Sequence, residues 1–249
     1  MNPLVLWFHK LGSPPYFDVF AKRWAPWCHL LGFLLMAVGV YQGLFVVPAD
    51  YQQSDSARIL YIHVPAAWMS IGVYLGMAVY AAIAQIWRIK LCEILAMACA
   101  PIGAGYTIVT LITGSIWGKP MWGTWWTWDP RLTTELILLF MYFGVMGLYA
   151  AIEDRRQAAR TAGFLAMVGV VLLPIIRYSV NWWDSLHQGQ TVSVFGQSKL
   201  DASMAAPLWW VVIGIHVWFV GSLLLRARAE NLERESGKAW VAQTMEPKP

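Results

Sequence analysis

The sequence predicts an all-α integral membrane protein with six transmembrane helices. Three observations carry that prediction. The 249-residue chain is 58% hydrophobic and only 13% charged, with a mean hydropathy of +0.50, outside the range of ordinary soluble domains. Six apolar segments follow one another along it. The lysines and arginines that separate them are distributed unevenly between alternate connections.

The segments span residues 24–47, 63–87, 94–116, 132–152, 161–178 and 204–225. Each is close to the ~20 residues a helix needs to cross ~30 Å of hydrocarbon. With no water there to satisfy backbone groups, helices are the form expected. Pro65 is expected in the first turn of the second helix, where its missing N–H costs little. Pro101 and Pro174 fall inside the third and fifth helices and predict kinks. The resulting organisation is an N-terminal segment (1–23), a six-helix domain (24–225) and a charged, solvated tail (226–249).

Basic residues set the direction of insertion. Lys10, Lys22, Arg23, Arg88, Lys90, Arg155, Arg156, Arg160, Arg226, Arg228, Arg234, Lys238 and Lys248 fall on one side, thirteen in all. Arg58, Lys119, Arg131, Arg177 and Lys199 make five on the other. Both termini are therefore expected in the cytoplasm. The connections 48–62, 117–131 and 179–203 are expected to face outward.

Several function classes are disfavoured. The positive net charge of +4 follows from orientation, and there is no basic stripe or motif for nucleic acid. Cys28, Cys92 and Cys99 form no C-x-x-C or C-x-x-C-H, so they read as small buried hydrophobes. A G-x-x-x-x-G-K-[ST] phosphate loop is absent, so no ATPase activity is expected. The first 23 residues contain no apolar stretch of the kind found in a cleaved signal peptide.

The run from Trp117 to Asp129 places five tryptophans, Trp117, Trp122, Trp125, Trp126 and Trp128, in twelve residues between two apolar segments. Indoles are large and flat with a single donor, so such a cluster suits a large flat ligand or a membrane interface. Ten of the sixteen tryptophans are expected near the outer side: these five with Trp68, Trp182, Trp183, Trp209 and Trp210. A plain aromatic belt would be shared between both interfaces. An interfacial turn capping the bundle is the competing reading.

His63, in HVPAAW at the start of the second segment, and His187, in the last outward connection, belong to the same surface. Either alone reads as an ordinary hydrogen-bonding group. Together, beside a flat aromatic platform, they suit an iron porphyrin, which takes one imidazole on each face. Propionates would need cations, and Arg58, Lys119, Arg131 and Arg177 are the outer candidates. Each could equally snorkel to lipid phosphate. Asp129, before Pro130, is expected to cap the fourth helix or orient an indole. Glu135, costly against lipid, is expected to face the bundle or pair with Arg131. His9 and His29 are expected on the cytoplasmic side, and His216 is expected to bond to a neighbouring helix.

These residues resemble a known family. Trp117-Gly118 through Asp129, followed by Arg131-Leu132-Thr133 and Glu135-Leu136, is similar to the tryptophan-rich WWD signature of haem-handling proteins in c-type cytochrome maturation. Six spans, HVPAAW and NWWDSLHQG match one branch closely, the haem exporter protein C (CcmC) family, over nearly the whole chain. The larger synthetase relatives have more spans and a second histidine pair, and this chain has neither.

The resemblance implies a multi-pass protein of the bacterial inner membrane whose site faces the periplasm. It implies haem (b-type, as transported ligand), with His63 and His187 as axial ligands and the WWD segment, Trp117 to Asp129, against the haem plane. Implied partners are a periplasmic haem chaperone (CcmE type), a small one-span protein (CcmD type), ABC transporter subunits (CcmA and CcmB type) and membrane lipid. Implied function is binding of haem at the periplasmic face and delivery to the chaperone. The alternative is a haem lyase-like enzyme that attaches haem covalently to the chaperone. No acid–base or nucleophilic group beyond the histidines is evident, so a transfer protein is favoured over an enzyme.

Overall fold

The structure, a computed structural model, describes residues 12–187 and 200–245. His9, Lys10, Lys199 and Lys248 lie outside the described residues. The helices are α1 (Pro14–Tyr41), α2 (Leu60–Trp87), α3 (Lys90–Trp122), α4 (Pro130–Ala151), α5 (Arg155–Val168), α6 (Leu172–Trp182), α7 (Ala202–Arg234) and the short α8 (Ala239–Met245). Among the described residues, six stretches are long and apolar enough to cross a membrane: Pro14–Val46, Asp55–Trp87, Lys90–Trp122, Pro130–Ala151, Arg155–Trp182 and Ala202–Arg234. They coincide with the six expected segments and extend most of them.

The extensions have physical causes. A π-turn, Gln42–Val46, prolongs α1, and a 3₁₀ turn, Asp55–Ile59, leads into α2. Pro65 therefore lies beyond the first turn of α2 and not within it. In the fifth span the regular helix is interrupted at Gly169–Val171, immediately before the turn that contains Pro174. Proline has no N–H for the preceding turn, and the tighter 3₁₀ turn absorbs that gap. α3 continues as helix through Pro101 and Pro120 to Trp122. Half of the expected tryptophan loop is thus helix, and only its second half is a connection.

α1 packs mainly against α7, and α2 against α3. A methyl group added to Gly32 would lie 2.7 Å from the Trp218 backbone nitrogen and 2.8 Å from the Gly214 carbonyl. The α1–α7 backbones thus approach as small residues allow in membrane bundles. Tyr74, Tyr142, Met77, Leu138 and Ile176 fill the core between the other helices. Tyr142 donates to the Ser70 carbonyl at 2.7 Å, which satisfies its hydroxyl inside the bundle.

The two ends of the bundle differ. At one, Arg234 reaches Glu230 at 2.8 Å and buried Glu93 at 3.2 Å, Arg228 reaches Asp18 at 2.7 Å, and Lys90–Glu235 and Arg155–Glu233 close further pairs. Ala227 and Asn231 are buried here, so α7 stays packed well past residue 225, where a solvated tail was expected to begin. At the other end lie the tryptophans.

Candidate functional site

α2 and α3 form an antiparallel hairpin that turns at Arg88–Ile89. That geometry brings residue 63, near the start of α2, level with residues 113–114 near the end of α3. The His63 Nδ1 lies 2.9 Å from the Thr113 Oγ1. Thr113 Oγ1 in turn donates to the Val109 carbonyl at 2.7 Å. Its one proton is committed there, so the oxygen accepts from the His63 Nδ1–H. The imidazole is thereby fixed as the tautomer whose Nε2 carries a free lone pair. Gly114 leaves room for the ring, because a methyl there would stand 3.1 Å from His63 Cε1.

One turn further along α3, the Trp117 ring meets His63 edge-on at 5.7 Å, while its indole N–H donates to Gln53 at 2.9 Å. Trp122, the last residue of α3, tilts against His187 with ring centres 5.1 Å apart. Gly123 then ends the helix with φ of +77°, a left-handed cap that glycine adopts without strain. Its N–H bonds the Lys119 carbonyl at 3.1 Å, and the Lys119 ammonium returns to the Gly123 carbonyl at 3.0 Å.

Asp129 and Pro130 restart the chain as α4. Asp129 takes the extended conformation usual before proline, and its Oδ1 accepts from the Arg131 N–H at 2.9 Å. The expected cap is therefore present. Its second oxygen does something the sequence did not announce. Oδ2 accepts from the Ser185 hydroxyl at 2.6 Å and the Leu186 N–H at 2.9 Å. One carboxylate, 6% exposed, thus caps α4 and ties down the connection that carries His187.

The His187 ring stands 3.9 Å from Asp129 Oδ1, beyond hydrogen-bond reach, and its Nδ1 has no hydrogen-bond partner among the described residues. Burial and then Arg131 push its pKa down, Asp129 opposes both, and the result is about 4. The imidazole is therefore neutral, with a lone pair available, at neutral pH. His63 senses the charge of both His187 and Arg131. The structure thus brings the two histidines and Arg131 into one site.

Arg131 also senses Glu135, Arg177 and Asp129, so two of the four expected outer cations are neighbours. Arg177 lies over the Tyr178 ring at 6.0 Å. Arg58 is placed differently: it binds Asp55 at 2.8 Å and the Gly43 and Val47 carbonyls at 2.9 and 3.0 Å, which clamps the end of the first span. Lys119 sits over exposed Trp125 at 6.0 Å. The tryptophans divide in the same way. Trp117 and Trp122 touch the histidines, Trp126 is half-buried against Trp128 at 5.6 Å, and Trp125 and Trp128 are exposed. Trp68 packs on Trp209 at 5.9 Å.

Glu135 faces the bundle as expected, accepting from the Ser70 hydroxyl at 2.6 Å. His216 Nδ1 lies 2.7 Å from the Val212 carbonyl on its own helix, where a bond to a neighbouring helix was expected. His29 reaches Ser222 across α1 and α7 at 3.1 Å. Thr113, Gln53 and Ser185 were missed from the sequence. Only Thr113 had a legible signal, its register opposite His63 in the hairpin. Close to Asp129 in sequence, the hydroxyls of Thr127 and Thr133 are buried without hydrogen-bond partners among the described residues, like His187 Nδ1.

The model of the family Heme exporter protein C matches residues 7–242. Heme exporter protein C of Escherichia coli strain K12 is 46% identical over 235 residues, covering 94% of this chain and 95% of that protein. The Haemophilus influenzae protein of the same name is 43% identical over 242 residues, covering 96% and 98%. A putative cytochrome c biosynthesis ccmC-like mitochondrial protein of Marchantia polymorpha is 42% identical over 184 residues, covering 73% and 78%. With six apolar spans and a match of this extent, the chain is a multi-pass membrane protein and belongs to the Heme exporter protein C family.

Proposed function

We propose that this protein binds haem at the tryptophan-rich end of its bundle and hands it to a periplasmic haem chaperone of the CcmE type, for c-type cytochrome maturation. The observation that carries the reading is the convergence of two imidazoles on one cation. His63 has a free Nε2, His187 is neutral, and both sense Arg131. The donor set fits the ligand. Two neutral imidazoles suit the two axial positions of iron, and Arg131 with Arg177 offers guanidinium forks to anionic propionates. Trp122 and Trp117, already against the histidines, supply apolar walls. Exposed Trp125 and Trp128 remain for a protein surface or a lipid headgroup region.

The strong basic bias of the opposite end favours a cytoplasmic position for it and a periplasmic position for the site. In this reading the protein lies in the bacterial inner membrane. ATP hydrolysis then belongs to partner subunits of the CcmA and CcmB type, with a small CcmD-type protein completing the complex. The protein orients haem and tunes its iron, while the porphyrin supplies any chemistry of attachment.

Mixing haem-loaded protein with purified apo-chaperone tests delivery. The expected result is movement of the haem absorbance to the chaperone on separation, with Arg131→Ala abolishing loading. Haem that stays on the membrane protein in the presence of excess chaperone would contradict the delivery role.

A further inference from the structure

The two histidines are held in different ways. His63 projects from a helix, and its Nδ1–H is locked to Thr113 Oγ1 at 2.9 Å, with the Thr113 proton directed to the Val109 carbonyl at 2.7 Å. His187 lies outside any helix, and its Nδ1 has no hydrogen-bond partner among the described residues. Asp129, with Oδ1 3.9 Å from that nitrogen, instead accepts from the Arg131 and Leu186 N–H groups and the Ser185 hydroxyl. What anchors His187 is its backbone: its N–H donates to Ser185 Oγ at 3.1 Å, and Trp122 flanks the ring at a tilt.

An imidazole whose second nitrogen donates to an acceptor has its tautomer and rotation fixed and its ligating nitrogen made more basic. One without that partner lacks this constraint on its rotation and is the weaker donor. We infer that Thr113 is the positioning residue that makes His63 the retained axial ligand, and that His187 is the ligand released when haem leaves. This rests on the assignment of both histidines as axial ligands under the proposed function. It adds a direction, because a partner taking over the iron would do so on the His187 face.

The test compares haem loss from the detergent-purified, haem-loaded protein with that from His63→Ala, His187→Ala, the double variant, Thr113→Val and Thr113→Ser, with and without added imidazole. Loss is read as transfer to excess apomyoglobin. His187→Ala is expected to keep its haem, with imidazole restoring a bis-nitrogen spectrum. His63→Ala is expected to lose haem at least about tenfold faster than His187→Ala, without rescue by imidazole, since removing the ligand and its orienting shell typically costs at least that much. Thr113→Val removes that acceptor oxygen and leaves the Thr110 backbone as the other hydrogen-bonding group at His63. It should release haem several-fold faster and raise the iron midpoint potential, because a less basic imidazole stabilises the ferric state less. Thr113→Ser should restore both.

Equal loss from the two single variants, faster loss from His187→Ala, or a Thr113→Val protein unchanged in both rate and potential would overturn the inference. A double variant that retains the wild-type spectrum would instead remove the ligand assignment itself, a distinguishable failure.

Discussion

The two ends of this bundle both bury polar groups, but they treat them differently. At the charged end, Arg234 is joined to Glu93 and Glu230, Arg228 to Asp18, and even the Glu93 oxygen that lacks a hydrogen bond has Arg156 and Arg160 within 3.8 and 3.7 Å. At the tryptophan end, the Thr127 and Thr133 hydroxyls and the His187 Nδ1 are buried and have no hydrogen-bond partner among the described residues. Charge matched to charge ties helices together. At the tryptophan end the unmatched polar atoms lie beside aromatic rings that also touch the two histidines. The Tyr74 hydroxyl, deep in the core, is buried without a partner among the described residues as well, so what sets the tryptophan end apart is the pairing of the two imidazoles with aromatic walls.

The largest effect is expected at the charged end. Replacing Glu93 by Ala removes the carboxylate shared by Arg156, Arg160 and Arg234 and leaves Arg234 with Glu230 alone, and breaking a buried pair costs up to about 3–5 kcal/mol. The expected outcome is a large fall in the amount of folded protein in membranes, read by fluorescence-detected size exclusion. The surviving fraction should bind haem normally. Selective loss of haem binding with normal folding would erase the distinction between the ends.

Asp129→Ala comes next. It removes a helix cap, worth about 1 kcal/mol, and releases the connection at Ser185 and Leu186. The account predicts modestly reduced thermal stability and a much larger loss of haem affinity, about tenfold or more, a magnitude usual for groups that orient metal ligands. A stability loss with unchanged affinity would show Asp129 to be a cap alone.

The pH dependence is smaller and has a definite sign. His187 has its pKa depressed to about 4 in the folded protein, against 6.5 when exposed. Between those values the unfolded chain binds the extra proton, so this group's contribution to stability is complete above about pH 6.5. It is lost as pH falls towards 4. The site imidazole nevertheless stays neutral, so haem binding should persist from pH 7.5 to 5, when followed by the haem absorbance. Loss of binding with a midpoint near 6.5 would place His187 in solvent. The smallest effect is expected for Lys119→Ala. Its contacts are the exposed Trp125 and a nearby carbonyl, so about 0.5–1 kcal/mol of stability is involved, and haem affinity should change less than twofold.

Much of this was legible in the chain. The six spans were readable because a helix in lipid must be apolar along its whole length. The two histidines could be picked out as a pair because both were expected at the same end of the bundle, beside the tryptophan run. Asp129 as a cap followed from the Asp-Pro dipeptide alone. What was hidden depends on contacts between distant segments. Nothing local says that Asp129 also grips Ser185, or that Trp117 donates to Gln53. Arg58 reads as a free outer cation in the sequence and is a clamp on the first span in the fold. The charged segment after residue 225 reads as a tail because its composition is polar. Its ion pairs with α1, α3 and the start of α5 make it part of the bundle.

The central claim, that His63 and His187 hold one haem between them, is tested most directly by the visible spectrum of the detergent-purified protein loaded with haem, beside His63→Ala/His187→Ala. The account predicts a six-coordinate, low-spin bis-histidine spectrum in the wild type and its disappearance in the double variant at equal protein. A wild-type spectrum retained by the double variant would contradict it.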